Sequence, residues 1–145
     1  MTLGQLHRVL WSHAGSFPCE EVCGLIFGPF DSIKTTVTSL EVTGVMPIKN
    51  IADSPRDSFE MDYAVLQEQW KLRHGEILGI YHSHLGGPAL ASLPDQDVVM
   101  RTGLISVIVS VGELRVYGRH QNQVIEIGHW SHRTEFQQKI LDGSL

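Results

Sequence analysis

The chain has 145 residues, a length that suits one domain, residues 1–145, with a sizeable buried core. Its 42% hydrophobic and 19% charged residues are those of a soluble globular protein, and a net charge of -5 argues against a nucleic-acid binder. No apolar run approaches transmembrane length, MTLGQLHRVLWSHAG lacks a signal peptide's basic start and apolar core, and two cysteines are too few for a disulfide framework; the expectation is a cytoplasmic protein without a membrane partner.

Leu3, Leu6 and Leu10 recur at helical spacing and predict an amphipathic helix over 3–14, ended by Gly15. EVCGLIFGPF reads as a buried strand, bounded by Gly28 and Pro29. Thr- and Val-rich residues 33–45 predict a second strand, and 46–58 a loop marked by Pro47, Asn50, Asp53 and Pro55. Met61, Val65, Leu66 and Leu72 suggest a helix between Glu60 and His74. EILGIYHSH is a hydrophobic strand, 93–102 a short helix, and LISVIVSV a fully buried strand. ELRVYGRH and QVIEIGHW alternate like an antiparallel pair, and the tail from Thr134 to Leu141 predicts a last short helix. The fold class is α/β, with a mixed central sheet flanked by helices.

The segment YHSHLGGPALASLPDQD carries the chemistry. At a strand end, residues i and i+2 project to one side, so His82 and His84 can address the same point. By itself, H-x-H is more often a pair of ordinary strand-end histidines. Ser92-x-x-Asp95 reads as a capping box, with Pro94 in the first helical turn. Asp95, Val98, Val99 and Thr102 share a helical face, which turns Asp95 toward the core, whereas Asp97 falls off it. An inward carboxylate needs a cation or several donors. Two histidines and one aspartate give three ligands with an open fourth position, the arrangement of a catalytic zinc.

Upstream, strand alternation puts Glu21, Cys23, Leu25 and Phe27 on one face and Glu20 in the turn before it. A glutamate beside an open zinc position can hold and deprotonate a water. Cys19 and Cys23 also offer a C-x3-C pair, but four residues of strand separate them by about 13 Å.

Glu21, then His82-x-His84, seven residues, Ser92, two residues and Asp95 resembles the motif of the JAMM/MPN metalloprotease family. EVCGLIFG resembles that family's first-strand signature, and NIADSPRDSFEMDYAVL the segment that precedes its histidine strand in bacterial members. The resemblance runs from about residue 3 to 120 and departs at Leu85 and Ala91, where the family often has proline. It implies the MPN/JAB, cytidine-deaminase-like architecture and one zinc per chain on His82, His84 and Asp95. It also implies hydrolysis of an amide or isopeptide bond. Glu21, picked over Glu20 by the motif's register, would be the proton carrier, and Ser92 the donor to the developing oxyanion.

Compact bacterial relatives are associated with ubiquitin-like sulfur-carrier proteins, which the resemblance implies as substrates cleaved after a C-terminal Gly-Gly. A short groove flanked by strands, with main-chain pairing to an extended peptide, is the expected binding mode. The alternatives are a peptidase on another short peptide, such as a cell-wall stem peptide, and a catalytically silent MPN scaffold. A third alternative, a zinc deaminase, lacks its H-x-E and C-x-x-C pattern here.

Overall fold

The computed structural model describes residues 1–30 and 36–143. In chain order the elements are α1 (Leu3–Gly15), β1 (Cys23–Phe27), β2 (Gly44–Ile48), α2 (Tyr63–Leu72) and β3 (Ile77–Ser83). There follow α3 (Leu93–Thr102), β4 (Ile105–Ser110), β5 (Glu113–His120), β6 (Gln123–Ser131) and α4 (His132–Leu141). Among the described residues the strands form one six-stranded sheet, ordered β2-β1-β3-β4-β5-β6. β3 and β4 run parallel and every other neighbouring pair antiparallel, so the sheet is mixed, as expected. The parallel pair needs a crossover, and α3 supplies it.

On one face lies α1, started by a reciprocal Thr2–Gln5 capping box. Its Leu3, Leu6, Leu10 and Ala14 are buried against Ile26, Leu78, Tyr81, Val107 and Leu114. Full burial of a leucine such as Leu6 or Leu10 contributes about 1.5–3 kcal/mol. Tyr81 has no exposed surface, and its hydroxyl lies 2.8 Å from His13 Nδ1 on α1. Opposite its ring stands Gly24, where a Cβ would run into the Met46 carbonyl and the Tyr81 side chain. Only glycine fits there.

The other face carries a second cluster of Cys23, Leu25, Phe27, Ile48, Met61, Ile77 and Leu104, with Phe59, Val65, Leu66 and Ile80 packed on it. The expected alternation along β1 holds, since Cys23, Leu25 and Phe27 share this cluster while Val22 and Ile26 lie in the first. A register shift between Ile26 and Phe27 lets β3 present Leu78 and Tyr81 to α1 but Ile77 and Ile80 to the opposite face. From Ile80 onward the alternation carries His82 and then His84 toward the second face.

The second strand departs from expectation. It spans Gly44–Ile48 and not 33–45; residues 31–35 lie outside the described residues, and 36–43 contribute only an isolated bridge from Ser39 to Thr2. The loop accordingly starts after Ile48. Pro47 is an exposed residue inside β2, which is tolerated because β2 is an edge strand and a missing N–H costs no ladder bond there. α2 starts at Tyr63, capped by Asp62, with Met61 buried just ahead of it. Leu72, at the last turn of α2, is 70% exposed and leaves the apolar stripe. α3 ends where Gly103 adopts φ 71°, the left-handed conformation that favours glycine after a helix.

Candidate metal centre

β3 and α3 meet at the second face of the sheet. β3 ends at Ser83, where His84 N–H still donates to the Val109 carbonyl of β4 at 2.8 Å. The chain then turns through 85–92 into α3, whose N-cap is Ser92. The capping box is formed in full: Asp95 N–H donates to Ser92 Oγ at 3.2 Å, and Ser92 N–H to Asp95 Oδ2 at 2.9 Å. That contact pins the Asp95 carboxylate to the start of the helix, where the dipole also favours negative charge. Asp95 and Val99 are buried and Val98 half-buried, as the helical phase predicts. Thr102 is exposed, a departure explained by its hydroxyl, which donates to the Val98 carbonyl and accepts from Leu104 N–H in the last turn. Asp97 is solvated and pairs with Arg101 at 3.0 Å.

His82, His84 and Asp95 converge. Each offers one ligand atom, and these atoms all lie within 4.8 Å of one another. His82 Nε2 is 3.2 Å from His84 Nε2 and 3.5 Å from Asp95 Oδ2. Ligand atoms held about 2.0–2.1 Å from a tetrahedral zinc lie roughly 3.3–3.4 Å apart. The donor set, two imidazoles and one carboxylate, therefore fits such a cation in both chemistry and spacing. His84 Nδ1 lies 3.0 Å from the Pro88 carbonyl, which fixes the tautomer that leaves Nε2 free as a ligand. His82 Nδ1 is buried and finds no partner among the described residues; the Phe59 ring, stacked on it at 4.3 Å, holds its plane instead.

The charges support this arrangement. Burial lowers the pKa of His82 and keeps it neutral, although Asp95 pulls the other way. Burial alone would raise Asp95, but hydrogen bonds from His82 and Ser92 hold its carboxyl below the usual range. Glu21 is 7% exposed and lines the same cleft as His82, His84, Ser92 and Asp95. Burial, and then the Asp95 and Asp57 carboxylates, push it up to about 7. Glu20 lies half-buried in the preceding turn and is not in that lining. Cys19 is exposed and Cys23 buried, both free; burial pushes the Cys23 thiol up to about 12, so it stays protonated.

The cleft holds about 1390 Å³ and is lined by Leu66 and Trp70 of α2, Val98 and Arg101 of α3, and the loop residues Arg56 to Met61. Leu25 of β1 and Ile77 and Ile80 of β3 line it as well. Among the described residues β1, β3, β4 and β5 pair on both sides and β2 and β6 are the outer strands, with the Ile127 carbonyl of β6 accepting from Val37 N–H at 2.8 Å. Two residues around the site were not assigned to it from the sequence: Asn50, named there only as a loop marker, and Phe59, which lines the cleft and stacks on His82.

A mixed sheet that sets a His-x-His strand end against an aspartate in the first turn of a crossover helix has the arrangement of a JAB-type domain. The profile of the prokaryotic homologs of the JAB domain matches residues 4–125, and the chain belongs to that family. It is similar to the desampylase of Haloferax volcanii, with 30% identity over 100 residues that cover 67% of each chain. The solution structure of a protein from Desulfitobacterium hafniense is similar with a TM-score of 0.60, 26% identity and 86% of each chain covered. A second, from Salinibacter ruber, shares the fold with a TM-score of 0.55 at 20% identity, again over 86% of each chain. Among the described residues no helix is long and apolar enough to cross a membrane.

Proposed function

We propose that this chain is a zinc-dependent peptidase that hydrolyses the amide bond after the C-terminal Gly-Gly of a ubiquitin-like sulfur-carrier protein. One observation carries the reading: His82, His84 and Asp95 gather within 4.8 Å in the cleft that Glu21 also lines. The similarity to a desampylase supports a ubiquitin-like protein as the substrate.

His82, His84 and Asp95 would hold the metal. When bound, zinc supplies Lewis acidity, polarising a carbonyl and making a water acidic near neutral pH. Glu21 accepts the proton of the attacking water and delivers it to the leaving amine. Buried at the cleft wall and raised toward neutrality, its carboxyl suits both halves of that transfer. Ser92 donates a hydrogen bond from its hydroxyl to the developing oxyanion. Its bond from Asp95 N–H uses a lone pair and leaves the hydroxyl proton free for the task. The cleft lined by α2 and α3 receives the flexible tail of the substrate, while its folded body stays outside.

The test is mass spectrometry of a Gly-Gly-extended carrier from the same genome, incubated with zinc-loaded wild type and with Glu21→Gln. Trimming at the diglycine by the wild type alone supports the reading. An intact carrier beside efficient cleavage of a stem peptide sinks it.

A further inference from the structure

Asn50 is 7% exposed in the loop between β2 and α2, and its amide is the hub of that loop. Nδ2 donates to the Glu21 and Ser58 carbonyls, each at 2.9 Å, with a longer contact to the Pro55 carbonyl at 3.3 Å. Oδ1 accepts from Ala52 N–H at 3.0 Å and from Glu60 N–H at 3.1 Å. Both donors and the acceptor of the side chain are thus in use within the loop and on Glu21. Glu21 N–H donates in turn to the Pro55 carbonyl at 2.7 Å. Glu21 precedes β1, whose pairing begins at Cys23, so its peptide groups are held by this loop and not by a strand ladder. The residue after Ser58 is Phe59, stacked on His82.

We infer that Asn50 is a positioning residue: through one buried amide it ties the backbone of Glu21 to the loop, aligning the proton carrier with His82, His84 and Asp95. The inference rests on the reading of Glu21 as the proton carrier. A glutamate side chain has three rotatable bonds, so its carboxyl is only as well placed as the backbone that bears it. Displacing a reacting group by about 1 Å costs on the order of 100-fold in rate.

Asn50→Ala should lower kcat by about 100-fold and change KM by less than about twofold, with metal content per chain unchanged. In the Glu21→Gln background the same substitution should lower the residual rate no further, because the group it positions is already gone. Hydrogen exchange provides a second readout that needs no activity: the Glu21 amide should exchange at least about tenfold faster, with β4 amides unchanged. If Asn50→Ala does not fold, Asn50→Ser, which retains a small donor, is compared in the same two backgrounds. An equal rate loss in both backgrounds, or an unchanged Glu21 amide, overturns the inference. If the wild type cleaves no carrier, the proposed function fails instead, and the exchange result alone decides for or against Asn50.

Discussion

His82 and His84 bring their Nε2 atoms to 3.2 Å, a separation at which two neutral imidazoles repel unless a proton or a cation lies between them. Burial keeps His82 neutral, and the Asp95 carboxylate 3.5 Å away makes the point attractive to positive charge. The purified protein should therefore carry one zinc per chain, measured by elemental analysis after gel filtration. His82→Ala combined with His84→Ala should remove it. Zinc at full stoichiometry in that variant would mean that other residues are the ligands.

Glu21→Gln keeps the shape of the side chain and removes only its basicity. Turnover should fall by about 100- to 10,000-fold, while metal content and the circular dichroism spectrum stay as in the wild type. Glu20→Gln should be nearly silent, since Glu20 lies outside the cleft. Loss of metal in Glu21→Gln would make Glu21 a ligand, and the reverse pattern between the two glutamates would shift the register by one residue.

The same glutamate gives the metal-free protein a pH signature. Its folded pKa of about 7 lies above the ordinary 4.5, so between these values the folded state binds more protons than the unfolded chain. Stability from this group is thus lost as pH rises from 4.5 to 7, and the loss is complete above 7. Thermal melts of metal-free wild type and Glu21→Gln should diverge across that window, with the variant relatively more stable at pH 8. Parallel curves would show that Glu21 is solvated.

Ser92 holds two roles that substitution can separate. Ser92→Ala should cost about 1 kcal/mol of stability through the lost cap and also lower kcat. Ser92→Asp can restore the cap to Asp95 N–H but offers no hydroxyl proton, so it should recover stability in urea melts without recovering turnover. A variant that recovers both would leave Ser92 as a cap alone.

His7 supplies an acid limb on the far side of the sheet. It is 4% exposed, 2.8 Å through Nε2 from the Ser110 carbonyl, and its ring lies tilted against Trp130 at 4.6 Å. Burial lowers its pKa, the Ser110 bond partly opposes this, and His132 lowers it further. Its contribution is present above pH 6.5 and is lost as pH falls through the depressed folded value. Metal-free His7→Gln should lose less stability than wild type between pH 7 and 5 in denaturant titrations. The remaining loss belongs to His13 and His82, whose pKa values burial also lowers.

The grouping of His82, His84 and Asp95 was legible because it is local and periodic. His82 and His84 obey a period of two, and Asp95 with Val99 a helical period, so both faces follow from spacing alone. β2 was misplaced because Thr and Val content favoured residues 33–45, while Pro47 looked like a stop; edge position, a property of the whole sheet, overrides that signal. Asn50 was illegible for a different reason. Its partners are backbone groups of Glu21, Ala52, Pro55, Ser58 and Glu60, and a backbone carbonyl leaves no mark in the sequence that names its donor. The helical walls of the cleft escaped notice because α2 buries no residue fully and so gives only a faint apolar stripe.

Tyr81 and His82 are neighbours on β3 that face opposite sides of the sheet, one locked against α1 and the other aimed at Asp95. The phenol fits only where Gly24 leaves space and His13 waits for its hydroxyl. A slip of β3 by one residue would drive an imidazole into that slot and swing Tyr81 into the cleft. The strand therefore works like a keyed shaft: it seats in one setting only, and the tooth that selects the setting lies on the side of the sheet away from the chemistry.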